Sequence, residues 1–205
     1  MKENILYPRT VAVVGVSQDR KKIGSVIYHN VIEGGFNGKV FPINPKYKDI
    51  EGEKCYPDVL SIDSQIDTVC IVIPSQFVEG VVDECIEKKV KSVVIISSGF
   101  KETGEEGAQL EKRIADKLKK AGIRLFGPNT LGFINNSINL NMSFARENPG
   151  YGSTAFISQS GAFCTAILDM AIRDKIGFSK VVSIGNKADI FENELVEYLQ
   201  SDKDT

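Results

Sequence analysis

Six short segments combine glycine, serine, asparagine or proline in a pattern that proteins use to bind phosphate groups through backbone N–H donors. The candidate site residues within them are Gly15, Ser17, Lys46, Pro74, Ser97, Ser98 and Gly99, followed further along the chain by Asn129, Thr130, Ser160 and Gly161. Glycine permits tight turns, hydroxyl groups donate hydrogen bonds, and lysine adds positive charge. These residue types indicate a site for a nucleotide or another phosphorylated ligand, and no metal site is predicted.

The first segment, Gly15-Val16-Ser17, follows an apolar run at the place where a dinucleotide-binding fold keeps its phosphate loop. The dinucleotide fingerprint requires two further glycines, one for close approach of the pyrophosphate and one for tight helix packing. Ser17 and Arg20 occupy those two positions. A standard NAD site is therefore disfavoured, whereas a phosphate contact through Ser17 and the amides of a following helix is still expected.

The second segment carries Lys46, followed by Lys48, where NAD-binding proteins place an acidic residue for the ribose diol. Two lysines suit a phosphorylated ribose, because their ammonium groups neutralise the phosphate. Such a ribose occurs in CoA, which has a 3′-phosphate, and in NADP, which has a 2′-phosphate. The residues alone favour neither ligand.

Two later apolar runs end in Pro74 and in the Ser97-Ser98-Gly99 turn. Ligands of a parallel sheet bind beyond the carboxyl ends of its strands, so these residues are expected to line the same slot. Phe77 and Phe100 follow closely and could form an apolar wall of the slot or pack in the core.

The last two segments could hold a phosphoryl group between them. Asn129 and Thr130 lie in a Gly-Pro-Asn-Thr turn, and Ser160 and Gly161 precede an apolar helical pattern. Both segments present backbone N–H groups at a turn or helix start, where the helix dipole also favours an anion. An ordinary turn and an ordinary helix cap would explain the same residues equally well.

Alternating strand and helix patterns would position these segments. Apolar, β-branched runs typical of buried strands are Thr10–Val16, Val40–Ile43, Thr68–Ile73, Ser92–Ile96 and Ile123–Phe126, and helical patterns between them are Ile23–Glu33, Phe77–Lys89 and Glu105–Ala121. Thr103 and Glu106 predict a capping box at the start of the third helix. Strands separated by helices form a parallel sheet, so we expect a doubly wound α/β fold of the Rossmann type.

The chain is expected to divide near residue 145, into a Rossmann-like domain, 1–145, and the beginning of a second α/β domain, 146–205. Residues 135–152 are rich in asparagine, glycine and proline and predict a loop region with up to two short strands. The elements predicted after it are a strand, an apolar helix, a second strand and an acidic helix: Thr154–Ser158, a helix ending at Ile172, Lys180–Ile184 and Glu192–Gln200. Two strands are too few for an independent sheet, so this second domain is expected to be incomplete.

Composition argues against several classes of protein. The 205 residues carry 25 Lys and Arg against 27 Asp and Glu, so no overall positive field favours nucleic acid or an anionic membrane. Four cysteines without a Cys-x-x-Cys pair, and Met1–Tyr7 without a signal-peptide core, fit a reduced, cytoplasmic location. The single histidine, His29, lies on a polar helical stripe and is expected to face solvent rather than to act in catalysis.

The ordered series of motifs resembles the NDP-forming acyl-CoA synthetases, which include ADP-forming acetate–CoA ligases and the α subunit of succinyl-CoA synthetase. The series comprises Gly-Val-Ser, Asn-Pro-Lys, Ile-Pro-Ser, Gly-Pro-Asn-Thr-Leu-Gly and Ser-Gln-Ser-Gly-Ala, in the family's order over essentially the whole chain. No single motif is specific, but the series is. The resemblance implies a Rossmann-like CoA-binding domain followed by an incomplete flavodoxin-like domain.

The resemblance also implies a reaction, in which acyl-CoA, phosphate and ADP give acid, CoA and ATP through an acyl phosphate and a phosphohistidine. CoA would bind at Gly15, Ser17, Lys46, Pro74 and 97–99, and the phosphohistidine would lie between Asn129, Thr130, Ser160 and Gly161. The family's phosphorylated histidine lies later than Thr205, so no catalytic residue is expected in this chain. ADP or ATP with Mg²⁺ would bind to further synthetase domains or to a β subunit with a grasp-type nucleotide site, which are the expected partners.

Two alternatives remain open. Some protein lysine acetyltransferases carry a regulatory region that resembles these synthetases without making acyl-CoA. A Rossmann module that binds NADP would also use Lys46 and Lys48, although Ser17 and Arg20 in the glycine positions weigh against it.

Overall fold

The computed structural model describes residues 5–205. Residues 1–4, which the prediction for Met1–Tyr7 included, lie outside the described part. The strands are β1 (Thr10–Val14), β2 (Lys39–Ile43), β3 (Asp49–Ile50), β4 (Glu53–Lys54), β5 (Thr68–Ile71), β6 (Ser92–Ile95), β7 (Arg124–Phe126), β8 (Gly132–Asn135), β9 (Leu140–Ser143), β10 (Tyr151–Ser158) and β11 (Phe178–Ser183). The α-helices are α1 (Ile23–Glu33), α2 (Ser75–Lys88), α3 (Glu105–Lys120), α4 (Gly161–Arg173) and α5 (Glu192–Gln200).

The first sheet has the strand order β2-β1-β5-β6-β7, and every pair in it is parallel. Successive residues of a strand point to opposite faces. Val11 and Val13 of β1 accordingly pack with residues of α1, whereas Ala12 and Val14 pack with residues of α2 and α3. Helices cover both faces, which confirms the doubly wound α/β fold.

Helix α3 starts at the predicted residue but lacks the predicted capping box. The helix begins at Glu105, after Gly104, whose φ of +117° is accessible to glycine but not to most residues. The Thr103 hydroxyl donates to the carbonyl oxygen of Phe100 at 2.8 Å and makes no bond to the first turn. The capping box was therefore wrong, because a short 3₁₀ turn at Lys101–Thr103 places Thr103 outside the helix start.

The second sheet has four strands in the order β10-β11-β8-β9. β10 and β11 are parallel, and β8 runs antiparallel to both β11 and β9. The chain therefore leaves the first sheet after Phe126 and joins the second at Gly132, before the expected division near residue 145. The β8–β9 hairpin supplies two of the four strands of this sheet, and the two αβ units supply the other two.

Helix α1 connects the two sheets. One face of α1 packs on β1, while Asn30 donates from Nδ2 to the carbonyl oxygens of Ser143 and Ala145, both at 2.9 Å, at the end of the second sheet's β9. Phe126 at the end of β7 packs on Phe133 of β8, with ring centroids 5.4 Å apart. These contacts make one continuous core under both sheets.

A buried ion pair joins β11 to the last residues of the chain. Lys180 is fully buried, and its Nζ lies 2.5 Å from Oδ2 of Asp202. The Tyr7 hydroxyl donates to Asp202 at 2.9 Å and to Asp204 at 2.8 Å. Burial, with help from these two carboxylates, raises the pKa of Tyr7, so the hydroxyl keeps its proton. Asp202 therefore accepts hydrogen bonds from both Tyr7 and Lys180.

All four cysteines are buried and reduced: Cys55, Cys70, Cys85 and Cys164. Burial raises the pKa of Cys70 and Cys85, which disfavours the reactive thiolate. Within residues 5–205, no helix combines the length and the apolar character needed to cross a membrane.

Candidate functional site

A cleft of about 1580 Å³ lies at the carboxyl ends of the strands, where the two sheets meet. Its walls include ten of the eleven predicted site residues: Gly15, Ser17, Lys46, Pro74, Ser97, Ser98, Asn129, Thr130, Ser160 and Gly161. Sites for drug-sized ligands have volumes of roughly 300 to 1,000 Å³, so this cleft suits a longer ligand. Gly99, the remaining predicted residue, borders a separate depression of about 550 Å³ beside the start of α3.

The first loop is shaped by two glycines. Gly15 has a φ of +100°, and a Cβ there would lie 2.2 Å from the carbonyl oxygen of Val72. Gly24, in the first turn of α1, comes so close that its Cβ would lie 2.3 Å from the carbonyl oxygen of Gly15. Gly24 thus permits the tight helix packing that the fingerprint assigns to its last glycine. Sequence reasoning missed it because it follows Gly15 by nine residues.

Ser17 is held at the mouth of this loop. Its N–H donates to Ser25 Oγ at 2.9 Å, and Ser25 Oγ donates back to the Ser17 carbonyl at 2.7 Å. The Ser17 hydroxyl accepts from the Asp19 N–H at 3.1 Å and lies 3.4 Å from the Tyr47 hydroxyl. The first loop is therefore held by hydrogen bonds to Ser25 of α1, and it contacts the second loop through the hydroxyl groups of Ser17 and Tyr47.

The second loop is fastened to the first by Asn44. Its Nδ2 donates to the Val16 carbonyl at 2.6 Å, and its Oδ1 accepts from the Lys46 N–H at 3.0 Å. The exposed Lys46 and Lys22 side chains both border the cleft. Lys48 does not, so the cationic pair at the cleft is Lys46 with Lys22 rather than Lys46 with Lys48.

The third and fourth loops form the floor of the cleft. Ser97 Oγ donates to the carbonyl oxygen of Ile73, and the Ser97 carbonyl accepts from the Asn129 N–H at 3.0 Å. These bonds align the ends of β5 and β6 with the turn after β7. Phe77 is 58% exposed and lies on the cleft, whereas Phe100 is fully buried in the core, which decides between the two roles considered for these rings.

The turn after β7 faces the start of α4. Thr130 is buried, and its hydroxyl donates to the Ser183 carbonyl at 2.5 Å and accepts from the Gly132 N–H at 3.0 Å, so it fixes the turn. Ser160 Oγ accepts from the Phe163 N–H at 3.2 Å and caps α4. The N–H groups of Gly161 and Ala162, the first two helical residues, have no intrahelical acceptor and are available to an anion at the cleft.

Asn186, which sequence reasoning missed, ties the two sheets together at the cleft. Its Nδ2 donates to Glu102 Oε2 and to Glu111 Oε2, both at 2.7 Å, and its Oδ1 accepts from Asn129 Nδ2 at 3.4 Å. Burial alone would raise the pKa of Glu102, but hydrogen bonds from Asn186 and from the Gly99 N–H hold it below its ordinary value. No local sequence signal marks Asn186, because its partners are far away in the chain.

His29 is buried rather than exposed, so that prediction was wrong. The β3–β4 hairpin covers the His29 ring, and His29 Nε2 lies 3.3 Å from Oε2 of Glu51 in that hairpin. His29 Nδ1 lies 2.7 Å from the Ser25 carbonyl oxygen of its own helix. Arg20 binds the same carboxylate with two bonds of 2.6 Å, and Arg20 and then His29 lower the pKa of Glu51 to about 2. This network braces the first loop from outside, and His29 does not border the cleft.

Two protein-family models match the chain. The model described as "CoA binding domain" matches residues 9–136, and the model described as "Succinyl-CoA ligase like flavodoxin domain" matches residues 151–205. The chain is similar to the ADP-forming acetate–CoA ligase of Methanocaldococcus jannaschii, with 50% identity over 98% of this chain and 28% of that protein. It is also similar to the α subunit of ADP-forming acetate–CoA ligase I from Pyrococcus furiosus, with 43% identity over 99% of this chain and 45% of that subunit.

Among solved structures, the chain resembles the dinucleotide forming acetyl-coenzyme A synthetase 1 of Ca. Korarchaeum cryptofilum. The TM-score is 0.96 at 40% identity, over 100% of this chain and 44% of that one. The chain therefore spans less than half the length of these relatives. The predicted resemblance and the α/β fold class are both confirmed by these matches. Because the first model covers more than half of the residues, the chain belongs to the CoA binding domain family.

Proposed function

We propose that this chain is the CoA-binding part of an ADP-forming acyl-CoA synthetase and that the cleft holds CoA. The observation that carries the proposal is the convergence of ten predicted residues, from loops throughout the chain, on one cleft. Two ammonium groups, a phosphate loop and two donor turns share this cleft, as a long ligand with several phosphate groups requires. A small apolar substrate would need none of them.

The geometry supports a direction for CoA in the cleft. Lys46, with Lys22 beside it, would neutralise the 3′-phosphate, and Ser17 with the start of α1 would bind the pyrophosphate. Gly15 allows the close approach, while Pro74 and the Ser97-Ser98 pair would line the path of the pantetheine arm. The thiol would then point toward the turn at 127–130 and the start of α4. Gly99 lies off this path and would act through the shape of its turn.

The second proposed subsite is the phosphate cradle. The Asn129 side chain and the Gly161 amide would hold the phosphoryl group of the phosphohistidine, while Ser160 caps the start of α4 and Thr130 keeps the turn in place. The histidine itself would come from outside this chain, so the complete conversion of acyl-CoA, phosphate and ADP into acid, CoA and ATP needs further synthetase domains or a β subunit. Those parts would also supply the site for ADP and Mg²⁺.

The proposal also covers the division of the chain into two units and its location in the cell. We place the CoA-binding unit at 1–145 and the ligase-type unit at 146–205, with the β8–β9 hairpin as a part of the first that pairs with the second sheet. We also propose a cytoplasmic location, which agrees with four buried, unpaired thiols.

Calorimetric titration of the chain with CoA, dephospho-CoA and NADP⁺ tests the proposal. CoA should bind, and removal of the 3′-phosphate or the Lys46→Ala substitution should each weaken binding by about tenfold or more, the value of one charge-assisted contact. Lys48→Ala is the matched control and should bind like the unchanged chain, because Lys48 lies outside the cleft. Tight binding of NADP⁺ without heat from CoA would replace the synthetase proposal with a redox-nucleotide module.

A further inference from the structure

A closed series of contacts links the first loop of the cleft to the β3–β4 hairpin, which lies outside the cleft. The Ser17 N–H donates to Ser25 Oγ at 2.9 Å, and the carbonyl oxygen of Ser25 lies 2.7 Å from His29 Nδ1. His29 Nε2 lies 3.3 Å from Oε2 of Glu51 in the hairpin. Arg20, which belongs to the first loop, binds both oxygens of the Glu51 carboxylate at 2.6 Å. The series therefore begins and ends in the loop that carries Ser17 at the cleft.

The backbone at Glu51 gives independent evidence that this carboxylate has a role. Glu51 and Gly52 form the two-residue turn between β3 and β4, and their φ angles are both positive, +52° and +89°. Such a turn favours asparagine followed by glycine, whereas the Cβ of a glutamate disfavours the left-handed conformation. A disfavoured conformation persists where the surroundings hold it, and such positions concentrate at functional sites. The contacts with Arg20 and His29 hold Glu51 in this conformation.

Both ring nitrogens of His29 face oxygen atoms that can only accept a hydrogen bond. Nδ1 faces the backbone carbonyl oxygen of Ser25, and Nε2 faces the carboxylate of Glu51. Arg20 and then His29 lower the pKa of Glu51 to about 2, so this carboxylate is ionised and has no hydrogen to donate. A neutral imidazole has one N–H group, and an imidazolium has two. Both contacts are therefore hydrogen bonds only when His29 is protonated.

The charged groups around the imidazole ring suit its protonated form. Two carboxylates, those of Glu51 and Glu33, share the single cation of Arg20, at 2.6 and 3.2 Å. The Tyr28 ring packs edge-on with its centroid 5.5 Å away, and burial followed by Glu53 raises the pKa of Tyr28, so Tyr28 contributes no charge. The histidine is only 6% exposed. Loss of its proton would place a lone pair of Nε2 against a carboxylate with little water between them.

We propose, on the basis of the proposed function, that His29 and Glu51 are positioning residues and that protonated His29 keeps the first loop in the shape that binds the pyrophosphate of CoA. When the proton is lost, the hairpin loses its hydrogen bond to α1, and the contact of Glu51 with Arg20 alone supports the loop from outside. The affinity for CoA should therefore be highest where His29 is protonated and should fall as the pH rises through the range in which His29 releases its proton.

The experiment follows the protonation of His29 and the affinity for CoA in parallel. His29 is the single histidine of the chain, so its ring signals in an NMR spectrum report the proton directly. Calorimetric titrations with CoA run from about pH 5.5 upward until these signals show a neutral ring. The affinity should fall by about three- to tenfold over that transition, the value of one hydrogen bond.

Three variants separate this role from a purely structural one. His29→Lys keeps a positive donor for Glu51 at each pH, so the ratio of its affinity to that of the unchanged chain removes the titration of CoA itself. Glu51→Gln should abolish the pH dependence, because an amide can accept from the protonated ring and donate to the neutral one. Glu53→Gln, which removes an exposed carboxylate from the same hairpin, should preserve the pH dependence.

A ratio of affinities that stays constant while the His29 signals titrate would overturn this inference and leave CoA binding intact. The same pH dependence in the folded Glu51→Gln variant as in the unchanged chain would also overturn it, as would a ring that is already neutral at about pH 5.5. Absence of CoA binding to the unchanged chain at every pH would overturn the proposed function, and this inference with it.

Discussion

Replacing Asn186 by aspartate would test how the two sheets hold the cleft together. The Asn186 amide now donates two hydrogen bonds of 2.7 Å, one to Glu102 and one to Glu111. Aspartate has nearly the same shape but no hydrogen to donate. Three carboxylates would then meet in one place, where Glu111 and position 186 are each only 6% exposed.

The expected cost follows from these contacts. Losing a hydrogen bond to a charged group costs about 1.5 to 3 kcal/mol, and two such bonds are lost. Repulsion between the new carboxylate and those of Glu102 and Glu111 is offset in part by Lys101, whose Nζ lies 3.3 Å from Glu111 Oε1, so the loss of the two hydrogen bonds sets the expected total of about 3 to 6 kcal/mol at pH 7. Whole domains are stable by only about 5 to 15 kcal/mol, so Asn186→Asp should be severely destabilised.

Urea unfolding at pH 7 and at pH 4 would measure this effect, with Asn193→Asp on the exposed side of α5 as the matched control. The crowded carboxyls of Asn186→Asp should have raised pKa values in the folded state, so they take up protons as the pH falls. The deficit relative to the unchanged chain should therefore shrink at pH 4. Equal stability of the two variants, or a deficit that does not depend on pH, would refute the reasoning.

Two further substitutions test the loop and the ion pair. In thermal unfolding, Gly15→Ala should destabilise the fold by on the order of 3 to 5 kcal/mol, because its Cβ would clash with the Val72 carbonyl and its φ is positive. Gly80→Ala is the control: Gly80 lies within α2, where a Cβ would meet no neighbouring atom, so this substitution should stabilise the fold by about 0.5 to 1 kcal/mol. Lys180→Met should cost about 3 kcal/mol, because it leaves the buried Asp202 without a cation. Since the folded pKa of Asp202 is lowered, this pair stabilises the fold above the ordinary carboxyl pKa of about 4, and its contribution is lost as the pH falls through the lowered value. Urea midpoints between pH 5 and pH 2 should therefore fall less for Lys180→Met than for the unchanged chain, and parallel curves would contradict this.

Elements that depend on local, buried patterns were predictable. The bounds of α1 and α5 agree with the predictions, because each helix carries an apolar stripe of helical period. The parallel first sheet also followed, since its strands are continuous apolar runs. The capping box at Thr103 was wrong, because Gly104 rather than Thr103 is the N-cap residue of α3.

Features that depend on distant partners were not predictable. His29 occupies a polar stripe, and only the β3–β4 hairpin, some twenty residues later, turns that stripe into an interior position. Asn186 has ordinary local surroundings, and it gains its role from Glu102 and Glu111 on other elements. Up to two short strands were predicted within residues 135–152, and β9 lies there, whereas β8, which begins at Gly132, was not predicted.

The position of α1 has a mechanical consequence. Its first turn borders the cleft beside Gly15, and near its other end Asn30 is hydrogen-bonded to the chain at the end of β9. Helix α1 thus contacts both sheets. A hinge motion of one sheet away from the other would widen the cleft only by breaking these hydrogen bonds. A ligand that pulls on the start of α1 transmits its load along about 16 Å of helix. Displacement of the start of α1 is therefore opposed by the two Asn30 hydrogen bonds at the end of β9.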